Sequence, residues 1–372
     1  MNKPIRILHV LGGLDKGGAE TMVMNLYRNI DRNKFQFDFI IHHSEKQSYT
    51  EEIESLGGNV YIMPPYNGFN HIYYKYKWEN FLLAHREYTI IHSHIRSTAS
   101  IFLKIAKKHG LITISHSHNT SNGTGIRALV KKTFQFPIRN IADYLLAPSL
   151  EAGEWLFGKT AIQNSNFYIM KNAINIGSFS FNRNVRKKKR KELGLDDNIV
   201  VGHIGRFEEQ KNHKFLLKIF KEFLLKHPES MLVLVGKGPL EPIVRNLAES
   251  LKITDNIIFL GERSDVNELM QAIDIFVFPS FYEGLGIVAI EAQAAGLPVV
   301  ASDVLPVETK VTELVHLLSL NDNERKWADK IHKLIKVKRK NNHSALVKAG
   351  YDIKETAKSL CNFYLKIMKK TR

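Results

Sequence analysis

Short runs of β-branched and aromatic residues alternate with helix-forming segments along the whole chain. Ile5 to Val10, Phe35 to Ile41, Asn59 to Met63, Tyr88 to Ile91, Leu111 to Ile114 and Ile141 to Ser149 have the length and composition of buried strands. Ile199 to Ile204, Met231 to Val235, Ile257 to Leu260, Ile273 to Phe278 and Val299 to Ala301 repeat the pattern in the second half. Between them lie predicted helices. One carries Met22, Val23, Leu26 and Ile30 on a stripe, others span Ser48 to Leu56 and Leu150 to Phe157, and Ile287 to Ala295 is closed by Gly296 and Pro298. Alternating β and α segments predict doubly wound parallel sheets, and 372 residues suffice for two of them. Asn67 to Trp78, rich in Tyr and Gly, reads as a surface loop or short helix without chemistry. Arg183 to Lys191 is charged and aperiodic, which predicts an exposed linker. Asp352 is placed to cap a final helix striped with Ile353, Ala357, Leu360, Tyr364 and Ile367.

The stretch from Phe278 to Asp303 organises the candidate chemistry. A strand ends there in a loop holding Gly284, Leu285 and Gly286, and a helix begins, so backbone N–H groups and the positive helix end converge on one place. That arrangement suits an anion such as a phosphate. Glu283 and Glu291 flank it, eight residues apart, and carboxylates beside a phosphate site are best used to accept from sugar hydroxyls. In the turn after Ile204, Gly205 precedes two cations five apart, Arg206 and Lys211, which can both reach one pyrophosphate. Gly236 belongs to a further strand-to-helix turn.

In the first half, the loop after Val10 has four glycines, Gly12, Gly13, Gly17 and Gly18, without the G-x-G-x-x-G spacing of a dinucleotide site. A plain flexible turn fits that spacing as well as a phosphate loop does. Two strands deliver paired histidines, His92 with His94 and His116 with His118, and residues two apart on extended chain point the same way. Hydrogen-bonded strand-end histidines, a metal site and sugar recognition all fit this. Neither a cysteine nor a third spaced histidine accompanies them, so the sequence supports no metal.

From Pro279 to Val300 the wording P-S-x-x-E-G-x-G-x-x-x-x-E-A-x-A-x-G-x-P-V-V resembles the donor-site signature of retaining nucleotide-sugar glycosyltransferases of family 4. G-R-x-x-x-x-K-N from Gly205 resembles the family's diphosphate clamp, G-G-A-E from Gly17 its cleft-facing loop, G-x-G-P from Gly236 its nucleotide-facing turn, and H-S-H-N-T from His116 the bacterial exopolysaccharide and capsule version of its histidine strand. Val304 to Leu320 lacks the family's usual glycine pair. The resemblance implies the GT-B fold, two Rossmann-like doubly wound α/β domains facing across a cleft. The domains would span 1–180, joined by a helix at 352–372, and 181–351.

By resemblance, Arg206, Lys211, Glu283 and His118 serve catalysis. Gly17, Gly18, His116, Gly205, Gly236, Arg263, Gly284, Leu285, Gly286 and Glu291 bind the donor, with the assignment between His116 and His118 left open. The implied reaction is metal-independent, retaining transfer of a hexose or N-acetylhexosamine. It runs from a UDP-sugar, with no further cofactor, to a lipid-linked saccharide in exopolysaccharide or capsule assembly. A sugar-nucleotide epimerase on the same fold is the alternative enzyme, and a non-catalytic basic protein binding nucleic acid or membrane is the alternative binder.

Charge bears on partners. Fifty-three Lys and Arg against 37 acids give +16, which favours phosphorylated substrates or an anionic membrane. No groove-entering motif or aromatic interleaving supports nucleic acid. Gly125 to Asn140 interleaves Arg127, Lys131, Lys132 and Arg139 with Leu129, Phe134 and Phe136, a pattern for a membrane surface or a solvated helix face. The single Cys361 excludes an intrachain disulfide, and neither a signal peptide nor an 18-residue apolar run is present. A cytoplasmic protein at the inner membrane face is the expectation.

Overall fold

The computed structural model describes residues 3–15, 17–43, 47–96, 98–118 and 135–370, so Arg127, Leu129, Lys131, Lys132 and Phe134 of the basic segment lie outside it, as do Asn119 and Thr120. Contacts divide the chain into two compact units, Met1–Ala173 with Ile353–Arg372, and Ile174–Asp352. The second unit therefore starts seven residues before the expected position 181. The cause is Ile176, which is buried with Ile290, Ala294 and Leu346 of that unit.

The first unit holds a seven-stranded parallel sheet in the order β3-β2-β1-β4-β5-β6-β7. Its strands are β1 (Ile5–Val10), β2 (Phe35–Ile41), β3 (Val60–Ile62), β4 (Ile90–Ser93), β5 (Ile112–His116), β6 (Tyr144–Ala147) and β7 (Phe167–Ile169). The helix Gly18–Asn29 covers one face through Met22, Val23 and Leu26. Helix Ile353–Lys370 joins the same core through Ile353, Ala357, Leu360, Tyr364 and Ile367, the stripe its sequence carries. On the other face, the tyrosine-rich segment forms the helix His71–Ala84, anchored by Tyr74, Trp78 and Leu82 while Phe69 and Ile72 stay in solvent.

The second unit holds six parallel strands in the order β10-β9-β8-β11-β12-β13. These are β8 (Val200–Ile204), β9 (Met231–Val235), β10 (Ile257–Phe259), β11 (Ile275–Phe278), β12 (Val299–Ser302) and β13 (Val315–Leu318). Both faces of each sheet are covered, which explains strands of continuous rather than alternating hydrophobicity.

The expected linker at Arg183 to Lys191 is corrected: it is the helix Arg183–Glu192, capped by Asn182 Oδ1 accepting from Asn184 N and Val185 N. Its inward face is cationic instead of apolar. Arg186 Nη1 donates to the carbonyls of Gln271 (2.8 Å), Ala272 and Ile273, Arg190 Nη1 donates to Ala272 O (2.8 Å), and both pair with Asp274. Arg339 reaches the same corner, donating to the carbonyls of Met270, Gln271, Ile273 and Ala295. Three guanidinium groups thus satisfy carbonyls at the negative end of the helix Val266–Ala272, where cations are favoured. Lys189, nearly buried, is held by Asp265, Glu192 and Glu268.

Candidate functional site

In an open parallel sheet the usable crevice lies at the carboxyl ends of the two strands between which the connection reverses direction. In the second unit those strands are β8 and β11, and the turns that follow them are tied together. Phe281 N donates to Gln210 O (2.8 Å), Gln210 Nε2 donates to Tyr282 O (2.9 Å), and Lys211 Nζ lies 2.7 Å from Glu283 Oε1. The Phe278 ring sits beneath Lys211, with Nζ 4.8 Å from its centroid. These bonds bring Lys211 and Glu283 to the edge of the Gly284–Leu285–Gly286 loop.

Gly286 is left-handed, with φ 72° and ψ 49°, and caps the helix Ile287–Ala294 without any side-chain cap, so the first-turn N–H groups keep their positive potential for a ligand. Leu285 is buried, its carbonyl accepting from Thr309 Oγ1, and a side chain at Gly284 would meet nothing within 4 Å. Gly205 packs over His203 and Lys211, while Gly236 has φ +137° and a Cβ there would overlap the Gly205 carbonyl. Only glycine lets these two turns touch.

Glu291 lies on the helix behind the loop with no hydrogen-bond partner among the described residues, and burial pushes its carboxyl up to about 8. A half-buried carboxyl with a raised pKa and no protein partner is a candidate to accept from a ligand. Arg206, by contrast, is largely exposed and, among the described residues, pairs with Glu208 at 2.8 Å. Arg263 is turned onto Asp265 (2.7 and 2.8 Å).

The first unit repeats the rule. Its reversal falls between β1 and β4, where a cavity of about 380 Å³ is lined by Gly18, Glu20, His94, Arg96, His118 and Asn172, among others. Gly17 is the extended N-cap of the helix Gly18–Asn29, and a Cβ on it would collide with Glu20. His118 lines this cavity, whereas His116 is buried below it.

Sequence spacing showed two histidine pairs, and the sheet order adds a fifth ring. β1 and β4 are neighbours with His9 and His92 in register, which corrects the expectation that no third histidine accompanies the pairs. His9 Nδ1 and His94 Nε2 lie 2.9 Å apart, His94 Nδ1 and His118 Nε2 2.8 Å, and His92 Nε2 and His116 Nδ1 3.3 Å. Burial is the first cause holding all five rings well below the usual imidazole range, His9 and His118 at about 3, so they are neutral near pH 7. Gln210, His203 and Tyr364 also contribute to these two places without a motif to announce them. Of the basic segment, Arg139 is described, and it lies over the Phe136 ring and donates to Phe157 O (3.1 Å).

Comparison with known proteins gives a consistent result. The model of Glycosyltransferase Family 4 matches residues 16–177, and that of Glycosyl transferases group 1 matches residues 185–352. A putative glycosyltransferase EpsF of Bacillus subtilis is 34% identical over 96% of both chains. The UDP-Gal:alpha-D-GlcNAc-diphosphoundecaprenol alpha-1,3-galactosyltransferase of Escherichia coli is 26% identical over 60% of each. The crystal structure of Anabaena Alr3699/HepE in complex with UDP superposes with a TM-score of 0.72 at 18% identity, over 99% of both chains.

Proposed function

The chain belongs to the family 4 glycosyltransferases, and from that premise we propose that it moves a hexose or N-acetylhexosamine from a UDP-sugar to a lipid-linked saccharide, with retention and without a metal, in exopolysaccharide or capsule assembly. The observation that carries the reading is the union of the β8 and β11 turns, which sets Lys211, Glu283 and an uncapped helix N-terminus side by side at the reversal point of the sheet.

In the proposed reaction the anomeric carbon–oxygen bond to the diphosphate breaks while an acceptor hydroxyl attacks from the same face, its proton passing to the departing phosphate oxygen. The leaving nucleoside diphosphate gathers negative charge where Lys211, Arg206 and the Gly286 helix end supply positive potential. Glu283 has one carboxylate oxygen on Lys211 and the other without a partner among the described residues, suited to a sugar hydroxyl. Glu291 accepts from the ribose hydroxyls. His118, which lines the first unit's cavity together with His94, meets the transferred sugar.

The names of two similar proteins guide the choice of substrates: the Escherichia coli relative carries UDP-Gal and a diphosphoundecaprenol acceptor in its name, and the Anabaena structure contains UDP. Among the described residues no helix is long and apolar enough to cross a membrane, so contact with a lipid-borne acceptor would be peripheral.

A thermal-shift screen against UDP-, GDP- and ADP-sugars tests the donor. A ligand at 100 times its Kd adds about 2.7 kcal/mol, a clear shift. Stabilisation by UDP-sugars, followed by label transfer to a lipid-linked saccharide, is the expected outcome. Isomerised sugar formed from UDP-sugar alone would make the protein an epimerase instead.

A further inference from the structure

The histidines beneath the first unit's cavity do more than a sugar contact requires. His9, His92 and His94 each bring one ring nitrogen to within 4.8 Å of the others; His9 and His92 are paired in register on β1 and β4, and His94 follows β4 directly, its N–H donating to Val10 O (2.9 Å). We propose that these three histidines bind one divalent ion of the zinc class, with the fourth coordination position directed at the cavity that His94 lines.

Several features point this way. Two imidazoles on a tetrahedral zinc at about 2.0–2.1 Å have nitrogens roughly 3.3–3.5 Å apart, so His9 and His94, now at 2.9 Å, need to part by only about half an ångström. Three neutral histidines with an open fourth position form a donor set that zinc accepts. The protons also balance. His92 Nδ1 lies 2.7 Å from the Tyr364 hydroxyl, and donating there leaves a lone pair on Nε2, which faces His116 Nδ1 at 3.3 Å and is available to an ion when His116 carries its proton on Nε2. His94 can keep its proton on Nδ1, facing His118 Nε2. His9 can carry its proton on Nε2, a buried nitrogen without a partner among the described residues. Each ring then offers a lone pair without losing a proton, and Tyr364 acts as an outer partner that fixes the His92 tautomer.

The test uses the untagged full chain, stripped with a chelator and titrated with Co²⁺ alone. Visible absorption reports coordination geometry, and elemental analysis reports stoichiometry. One equivalent with a tetrahedral spectrum, displaced by Zn²⁺, is expected. His9→Gln and His94→Gln should abolish it. Tyr364→Phe, which keeps the ring in the core, should weaken binding about 10–100-fold and guards against a folding defect in the other variants. His227→Gln, from an exposed histidine pair elsewhere, and His118→Gln should both keep the equivalent. Folded wild-type protein that binds no stoichiometric Co²⁺, or binding lost with His118 or His227 but kept without His9, overturns the assignment. None of these readouts uses a nucleotide sugar, so they succeed or fail apart from the donor assignment.

Discussion

Lys211 and Glu283 form an ion pair of 2.7 Å across two turns, with their side chains only 16% and 6% exposed. Removing one partner of so enclosed a pair strands the other charge, at a cost of about 3–5 kcal/mol. Lys211→Ala should therefore lower both stability and transfer rate, the rate by about one to two decades or more. Lys211→Met combined with Glu283→Leu should regain most of the stability and none of the activity. Denaturant melts beside initial rates check this, and a double variant as unstable as Lys211→Ala would refute the pairing argument.

Arg206 separates the two effects. Its guanidinium is 75% exposed and its bond to Glu208 is of the kind that contributes little to stability. Arg206→Ala should melt within about 0.5 kcal/mol of the parent, yet lose roughly 10–100-fold in kcat/KM because the developing charge on the diphosphate loses a donor. Unchanged kinetics would remove Arg206 from the site.

Glu291 should trade stability for binding. Its carboxyl is raised to about 8 from an ordinary 4.5, so the unfolded chain gives up the proton first and the residue's effect grows more unfavourable as pH rises from about 4.5 to 8. Glu291→Gln should raise the melting midpoint of the free protein, more at pH 8 than at pH 5, while weakening UDP-sugar binding. Calorimetry at both pH values checks the sign, and a midpoint gain that is larger at pH 5 contradicts it.

Acid should destabilise the first unit. The rings of His9, His92, His94, His116 and His118 stay neutral when folded but protonate near pH 6.5 when unfolded. Stability is then complete above about pH 6.5 and falls as pH drops below it, each such ring contributing about 1.4 kcal/mol per pH unit. Urea unfolding at pH 7.5, 6 and 5, with chelator present, should show a steep loss that a flat profile would exclude.

Where the sequence reads clearly, local chemistry and global fold agree. Strands β8, β9 and β11 and the turns after them are visible in apolar runs ended by Gly205, Gly236 and Pro279, and the spacing of Arg206, Lys211, Glu283 and Glu291 follows from those turns. The helix Arg183–Glu192 escaped because periodicity detects apolar stripes, and its buried face is made of Arg186, Lys189 and Arg190 seated on carbonyls and acids more than seventy residues away. His9 escaped for a related reason. It lies over eighty residues from His92, and only the non-sequential strand order β1-β4-β5 sets them side by side. The tie between Gln210 and Tyr282 likewise has no local signature.

The helix Ile353–Lys370 packs into a core whose other members are made before residue 174, and Tyr364 meets His92 there. During translation, at about 5–20 residues per second, that core waits on the order of ten seconds or more for its missing wall while the inserted unit is synthesised. The nascent first sheet is thus exposed to chaperones or to aggregation for longer than its own length would suggest. A released chain truncated after residue 352 should be protease-sensitive in that half beside a resistant second half, whose core ends with Leu346 and Tyr351.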